Sequence, residues 1–372
     1  MSTGTRSLPL LRLRLVGALS AITVLVGCTS GRMGVGDTPE SHGSAFRGAP
    51  TPAILPALRL RADLSEAPAR WRLLAKIPFG RSNNELGFYF DRRHGSLPLI
   101  PRSFAVAPDG SFWILDDVKG RLAHYSRRGV FVEAVPGLKL DRTSPRPKDL
   151  VISDGRLSVL QERKARATLT TVNDDGSLSS QPLTDAGRQL AVSKLFSAPG
   201  GLVGLVAGHA DPLGTGPSGF AYLPVHGRLR ILRGLPVTEG VAVDLNAVAD
   251  QDLELTMSSS NAMATQPIHV DVVPDAKGRR IKGLVGPGIE ARSAHGVGLY
   301  VRVTPVEPDE AHRLGDGAWY LRFATDHSPL LWERLPEASV SDEEQVRHLT
   351  SDNRGRVYLM VPDEEGERIY VR

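Results

Sequence analysis

One cysteine, Cys28, stands in a chain of 372 residues. A single thiol excludes an intramolecular disulfide and a cysteine-clustered zinc site, so the core alone must hold the fold. Aromatic residues make up only 6%. No apolar run is long enough to span a bilayer as a helix; residues 15–26 come nearest, at about a dozen where about 20 are needed. The ten histidines include no pair at the i, i+4 spacing of a helical zinc site. No Gly-x-Ser-x-Gly elbow is present, and the glycine-rich run 214–219 lacks the lysine of a phosphate cradle. Asn173-Asp174-Asp175-Gly176 lacks the alternating acids of a calcium loop and reads as a hairpin turn. An excess of one charge is also lacking. The net charge is +4, and residues 1–27 hold Arg6, Arg12 and Arg14 and no acid, so the remainder carries +1. No basic face is visible along the chain, and nucleic acid is not an expected partner.

What is present begins at the amino end. Three arginines precede the apolar stretch, and Leu25-Val26-Gly27-Cys28 closes it with a small residue before the thiol. This resembles the lipobox of bacterial lipoproteins. The resemblance implies cleavage before Cys28, a diacylglycerol on its sulfur, a further acyl chain such as palmitate on the new amino group, and stable membrane attachment. The expected location is extracytoplasmic, at the cell membrane or outer membrane. A plain secretory signal is the competing reading, in which Cys28 is incidental. The expected organisation is therefore a signal peptide at 1–27, a flexible tether at 28–69 rich in Gly, Ser, Thr and Pro, and one domain at 70–372.

That domain repeats. Ser103-Phe104-Ala105-Val106, a turn at Asp109-Gly110, Phe112-Trp113-Ile114-Leu115-Asp116, Arg121-Leu122-Ala123-His124-Tyr125 and Val130-Phe131-Val132 read as four short strands. Asp154-Gly155 follows Asp109-Gly110 by 45 residues, and Pro199-Gly200 follows by 45 more. Counted to the end, the unit recurs six times, which predicts an all-β, six-bladed β-propeller. The final unit shows three strands, and one strand, Trp71 to Ile77, is spare at the front. Pairing that strand beside Ile369-Tyr370-Val371 would close the ring. A pair of β-sandwiches and a seven-bladed ring are the alternatives.

The first unit resembles an NHL-type repeat, through Pro101, Asp109-Gly110, Trp113-Ile114-Leu115-Asp116, Arg121, Tyr125 and Gly129. The likeness covers about 50 residues; in the second unit Gln161-Glu162 replaces the closing aspartate. It supports the fold and chooses no chemistry. Arg102, Lys148, Asp149, Glu239 and Arg347 precede or begin predicted innermost strands. They form a candidate mixed-charge ring around the channel mouth, suited to a small anionic ligand or a peptide end. Solvated polar turns explain the same residues. The leading function is thus a binding or scaffold module for an envelope protein or small ligand, with no catalytic residue, metal or cofactor assigned. The alternative is a channel-site hydrolase or lyase resembling propeller lactonases, with Glu239, Asp149 and Asn246 as nearest metal-ligating candidates. Residues 79–101, with Phe88-Tyr89-Phe90 beside Asp91-Arg92-Arg93-His94, are long for a connection and could cover the mouth or lie on the first unit.

Overall fold

The computed structural model describes residues 53–63, 67–68, 70–89, 99–138, 146–163, 166–173, 175–185, 188–189, 192, 194–198, 202–207, 220–225, 228–233, 235–238, 241–249, 251–259, 263–273, 281–293, 296–305, 318–323, 329–336, 349–352 and 354–372. Cys28, the signal segment and the tether up to residue 52 lie outside them. Every regular element described is a strand.

Three strands come first, β1 (Ala53–Ile54), β2 (Leu58–Asp63) and β3 (Arg72–Pro78), and each joins a sheet completed later. The first sheet is β4 (Ser103–Val106), β5 (Phe112–Asp116), β6 (Arg121–Tyr125) and β7 (Phe131–Pro136), antiparallel and in chain order. The second is β8 (Arg146–Ser153), β9 (Arg156–Arg163), β10 (Arg166–Val172) and β11 (Leu178–Pro182), followed by a small hairpin of β12 (Thr184–Asp185) and β13 (Arg188–Gln189). The third is β14 (Lys194–Ala198), β15 (Leu202–Ala207), β16 (Phe220–Val225) and β17 (Arg228–Arg233). The fourth is β18 (Leu235–Thr238), β19 (Val241–Ala249), β20 (Asp252–Ser259) and β21 (Met263–Val273). The fifth is β22 (Ile281–Ser293), β23 (Gly296–Pro305), β24 (Ala318–Phe323) and β25 (Pro329–Arg334). The last three strands, β26 (Leu349–Ser351), β27 (Val357–Pro362) and β28 (Gly366–Val371), take β3 as their fourth.

Hairpin chemistry explains the turns. Ser153 pairs with Arg156, leaving Asp154 (φ 50°) and Gly155 (φ 76°) as a two-residue loop. Both lie in the left-handed region that matches strand twist. The strands themselves are not simple amphipathic ribbons. All of β4 and all of β27 are buried, because both faces of these sheets are covered. Phe104, Val106, Phe112 and Ile114 pack toward Tyr358, Met360 and Ile369 of the last sheet. Ala105, Leu115 and Leu122 pack toward Leu150, Leu157 and Val159 of the second. Val151, Leu160 and Leu169 meet Leu195 of the third, and Tyr320 and Leu335 meet Leu349, Val357 and Leu359. The first sheet therefore packs on the last and on the second, the second on the third and the fifth on the last, and in the first sheet burial falls from β4 to β7. The outer β7 is largely exposed where β4 is not.

The spare front strand does pair with the last sheet. β3 runs antiparallel to β28 with Pro78 opposite Gly366 and Arg72 opposite Val371. Each sheet remains open; none closes on itself among the described residues.

Two sequence expectations need correction. The tether was expected to extend to residue 69, yet β1 and β2 are strands laid parallel on the edge of β21, from Ala53 opposite Ala264 to Asp63 opposite Val273. Leu60 and Ala62 are buried there, which is enough alternation to hold an edge strand. Beyond β2, the Trp332 indole N–H donates to the Arg61 carbonyl at 2.8 Å. Trp71 is then buried edge-on against Tyr320, with ring centroids 5.9 Å apart. Residues 53–78 thus strap the outer edges of the fourth, fifth and last sheets. Second, Glu239 was expected to precede or begin an innermost strand. Instead Thr238 ends β18, because pairing of Leu235 with Val243 and Thr238 with Val241 makes that strand the first arm of a hairpin.

Candidate functional site

Of the expected ring, Arg102, Lys148 and Asp149 are described, and they lie at the end of the sheets where β4 and β8 begin and β5 and β9 finish. Two contacts fix the relative direction of the innermost strands. The Ser103 hydroxyl donates to Asp149 Oδ1 at 2.6 Å, and the Leu195 N–H donates to Asp149 Oδ2 at 2.8 Å. At the far end of β8, the Ser153 and Ser197 hydroxyls lie 3.2 Å apart. β4, β8 and β14 therefore run side by side in the same sense.

Asp149 is 0% exposed. Both its oxygens accept hydrogen bonds from neighbouring sheets, so it joins three innermost strands and does not line an open mouth. Buried carboxylates are held in this way when charge-assisted bonds replace water. Lys148 pairs with Glu162 on β9. Arg102, just ahead of β4, donates from Nε to Asp117 Oδ2 at 2.5 Å. Glu239 and Arg347 lie outside the described residues. Asn246 sits in β19 opposite Glu254.

The residues that sequence reading missed are the acids that close the second strands. Asp116 and Asp117 stand where β5 turns into β6, and both are buried. Asp116 Oδ2 accepts from Arg121 Nε at 3.0 Å, while its Oδ1 accepts from the N–H groups of Gly87 and Lys119. Burial pushes its pKa up, and Arg121 opposes the shift. Asp117 is less well served. Burial pushes its pKa up to about 6, against the pull of Arg102, and its Oδ1 is buried with no hydrogen-bond partner. A signal for these positions exists. An acid pair, or glutamine and acid, precedes an arginine by five residues at Asp116-Asp117…Arg121, Gln161-Glu162…Arg166 and Asp363-Glu364…Arg368. Asp363 bonds Arg368 as Asp116 bonds Arg121.

The described part of the connection after β3, up to Tyr89, lies on the first sheet. Arg121 donates to the carbonyls of Asn83 and Glu85, and Lys119 Nζ donates to those of Ser82 and Glu85 at 2.7 Å each. Phe79 and Phe88 stack at 5.0 Å. Residues 90–98 lie outside the described residues. Among the described residues no three His, Cys, Asp or Glu side chains converge as a metal site. Among them no helix is long and apolar enough to cross a membrane.

Comparison with known proteins adds little chemistry. A family described as a domain of unknown function (DUF7485) matches residues 69–185. No curated protein matches. Among solved structures, virginiamycin B lyase from Staphylococcus aureus is similar with a TM-score of 0.38 and 12% identity, over 73% of this chain and 94% of that one. A putative gluconolactonase gives 0.39 and 14%, over 83% and 94%. A member of the duf4221 family from Bacteroides vulgatus gives 0.48 and 9%, over 81% and 97%. At these values no residue role passes from those proteins to this one.

Proposed function

We propose that this chain is a lipid-anchored β-propeller of the bacterial envelope, acting as a binding or scaffold module. In this reading the sheets are six blades around a channel. β3 supplies the last blade's fourth strand and so closes the ring, and an acylated Cys28 holds the whole at the cell membrane or outer membrane. The stacking of successive sheets and the common direction of β4, β8 and β14 support the ring. The observation that carries the binding reading is Asp149. Both of its oxygens accept hydrogen bonds from neighbouring sheets, so it serves as a joint between them. Lys148 is likewise neutralised by Glu162.

Two measurements test this. Mass spectrometry of the mature amino terminus should show a chain beginning at acylated Cys28; an unmodified Cys28 in the mature chain overturns the anchor. Thermal unfolding with calcium or zinc should show no shift. A metal-dependent rise lost in Glu239→Ala would overturn the binding reading in favour of a metal-assisted hydrolase.

One group favours that second reading, hydrolase or lyase. Asp117, with its pKa pushed up to about 6 beside Arg102, has the character of a general acid or base. Were it catalytic, turnover of a lactone or ester panel would follow a single ionisation near that value and vanish in Asp117→Asn.

A further inference from the structure

A charged patch forms on the opposite edge of the sheets, between the last sheet and the first. Two hairpin tips meet there, the β6–β7 turn with Arg127 and Arg128, and the β26–β27 turn with Arg354 and Arg356. The floor between them is Gly110, at φ +88°. A methyl group placed on Gly110 would lie 3.4 Å from Arg127 Cδ and 4.0 Å from Arg356 Nη2, so the two arginines converge from sheets at opposite ends of the sequence. The positive charge of Arg127 also reaches the Tyr358 hydroxyl, whose pKa burial raises to about 12.

The balance of charge at this edge is positive. Asp352 holds Arg356, with Oδ2 at 2.7 Å from both Nε and Nη2. Asp109 is exposed in the turn beside Gly110, but it accepts the N–H and hydroxyl of its own Ser111 at 2.9 and 2.6 Å. Arg127, Arg128 and Arg354 are exposed and have no ion-pair partner among the described residues. Four guanidiniums thus face two carboxylates. Val130, next along the chain, is 63% exposed. Basic tips with an exposed aliphatic beside them suit a headgroup layer, where arginine binds phosphate and the apolar side chain meets the acyl boundary.

We propose that this edge docks onto the phosphate headgroups of an anionic lipid bilayer. The docking rests on the proposed acyl anchor only for proximity; the patch itself is independent of it. Hairpin tips present charge outward to a broad surface and do not enclose a small ion. Single-stranded nucleic acid would want exposed stacking rings; Tyr358, Phe112 and Tyr125 are buried here, and Phe131 is half-buried edge-on against Tyr125.

The test uses the chain from residue 28 onward carrying Cys28→Ser, so that neither an acyl group nor the cationic, apolar leader contributes. It should sediment with vesicles of equal parts phosphatidylglycerol and phosphatidylcholine, and not with phosphatidylcholine alone. Each surface arginine contributes about fivefold to such partitioning, so Arg127→Gln with Arg128→Gln should weaken it on the order of twentyfold. The thermal midpoint of that double variant should stay unchanged. Equal sedimentation with both vesicle types, or full binding by the double variant, would overturn the proposal. So would arginine-dependent binding to an oligonucleotide that exceeds binding to vesicles. A chain that is acylated in cells, yet whose Cys28→Ser form ignores anionic vesicles, refutes the patch and spares the anchor. An unacylated chain whose Cys28→Ser form binds them does the reverse.

Discussion

At the scale of single residues, some buried carboxylates accept hydrogen bonds at both oxygens and others do not. Asp149 belongs to the first kind. Asp149→Ala would strand the Ser103 hydroxyl and the Leu195 N–H in a dry joint, at a cost of about 3 kcal/mol; urea unfolding should show it, with Asp149→Asn costing less. Asp117 belongs to the second. Its folded pKa of about 6 lies above the ordinary 3.8, so its contribution is fully present below pH 4 and is lost as pH rises through 6. Against Asp117→Asn, which does not titrate, the wild type should lose about 3 kcal/mol of relative stability between pH 4 and pH 7. Unfolding of both proteins across that range measures the slope, and equal slopes would show Asp117 to be solvated. The role of Asp149 was not legible along the chain. Asp149 looked like a mouth residue because its register placed it at a strand start, and only the neighbouring sheets reveal its two partners. The acid-then-arginine spacing that marks Asp116, Asp117 and Asp363 was legible in principle, because it repeats.

At the scale of elements, strand and turn grammar carried most of the fold. β-branched and aromatic runs broken by Asp-Gly and Arg-Gly located β4 to β7 closely, since each hairpin is a local event governed by the φ its turn demands. The strap was not legible. β1 and β2 lie in a segment whose Gly, Ser and Pro content reads as tether, and a parallel edge pairing with a strand some 200 residues away leaves no local trace. The pairing of β3 with β28 is close-fitting at Gly366, where an added methyl would collide with the Ile77 carbonyl. Gly366→Ala should therefore lower stability by about 2 kcal/mol or more, and weaken amide-exchange protection across β3 and β28 before the rest of the domain. Trp71→Ala should cost about 3–5 kcal/mol in thermal unfolding, because the indole is buried among Tyr320, Leu335 and Leu349.

At the scale of the whole molecule, β3 is the one strand that ties the front of the domain to its last sheet. A chain lacking residues 53–78 should lose its single cooperative melt. A synthetic peptide of residues 70–80 added in trans should restore it, as near-ultraviolet circular dichroism would report. A truncated chain that melts as sharply as the intact one would show that the strand is dispensable. The sheets stack through apolar faces, and their polar ends are left to the turns.

Composition and pattern by themselves determined that one thiol precedes a strand-rich domain, that its sheets are built from short hairpin-linked strands, and that a front strand was available to the final three. These are short-range properties, readable because turn geometry and side-chain alternation act within a few residues. The tertiary structure alone decided which charges are spent and which are displayed. Asp149 meets partners 46 residues away on either side, and Arg127 shares Gly110 with Arg356 from the far end of the chain. Coulomb attraction and burial depend on distance in space, and stacking of the sheets sets that distance without leaving a mark in the order of the residues.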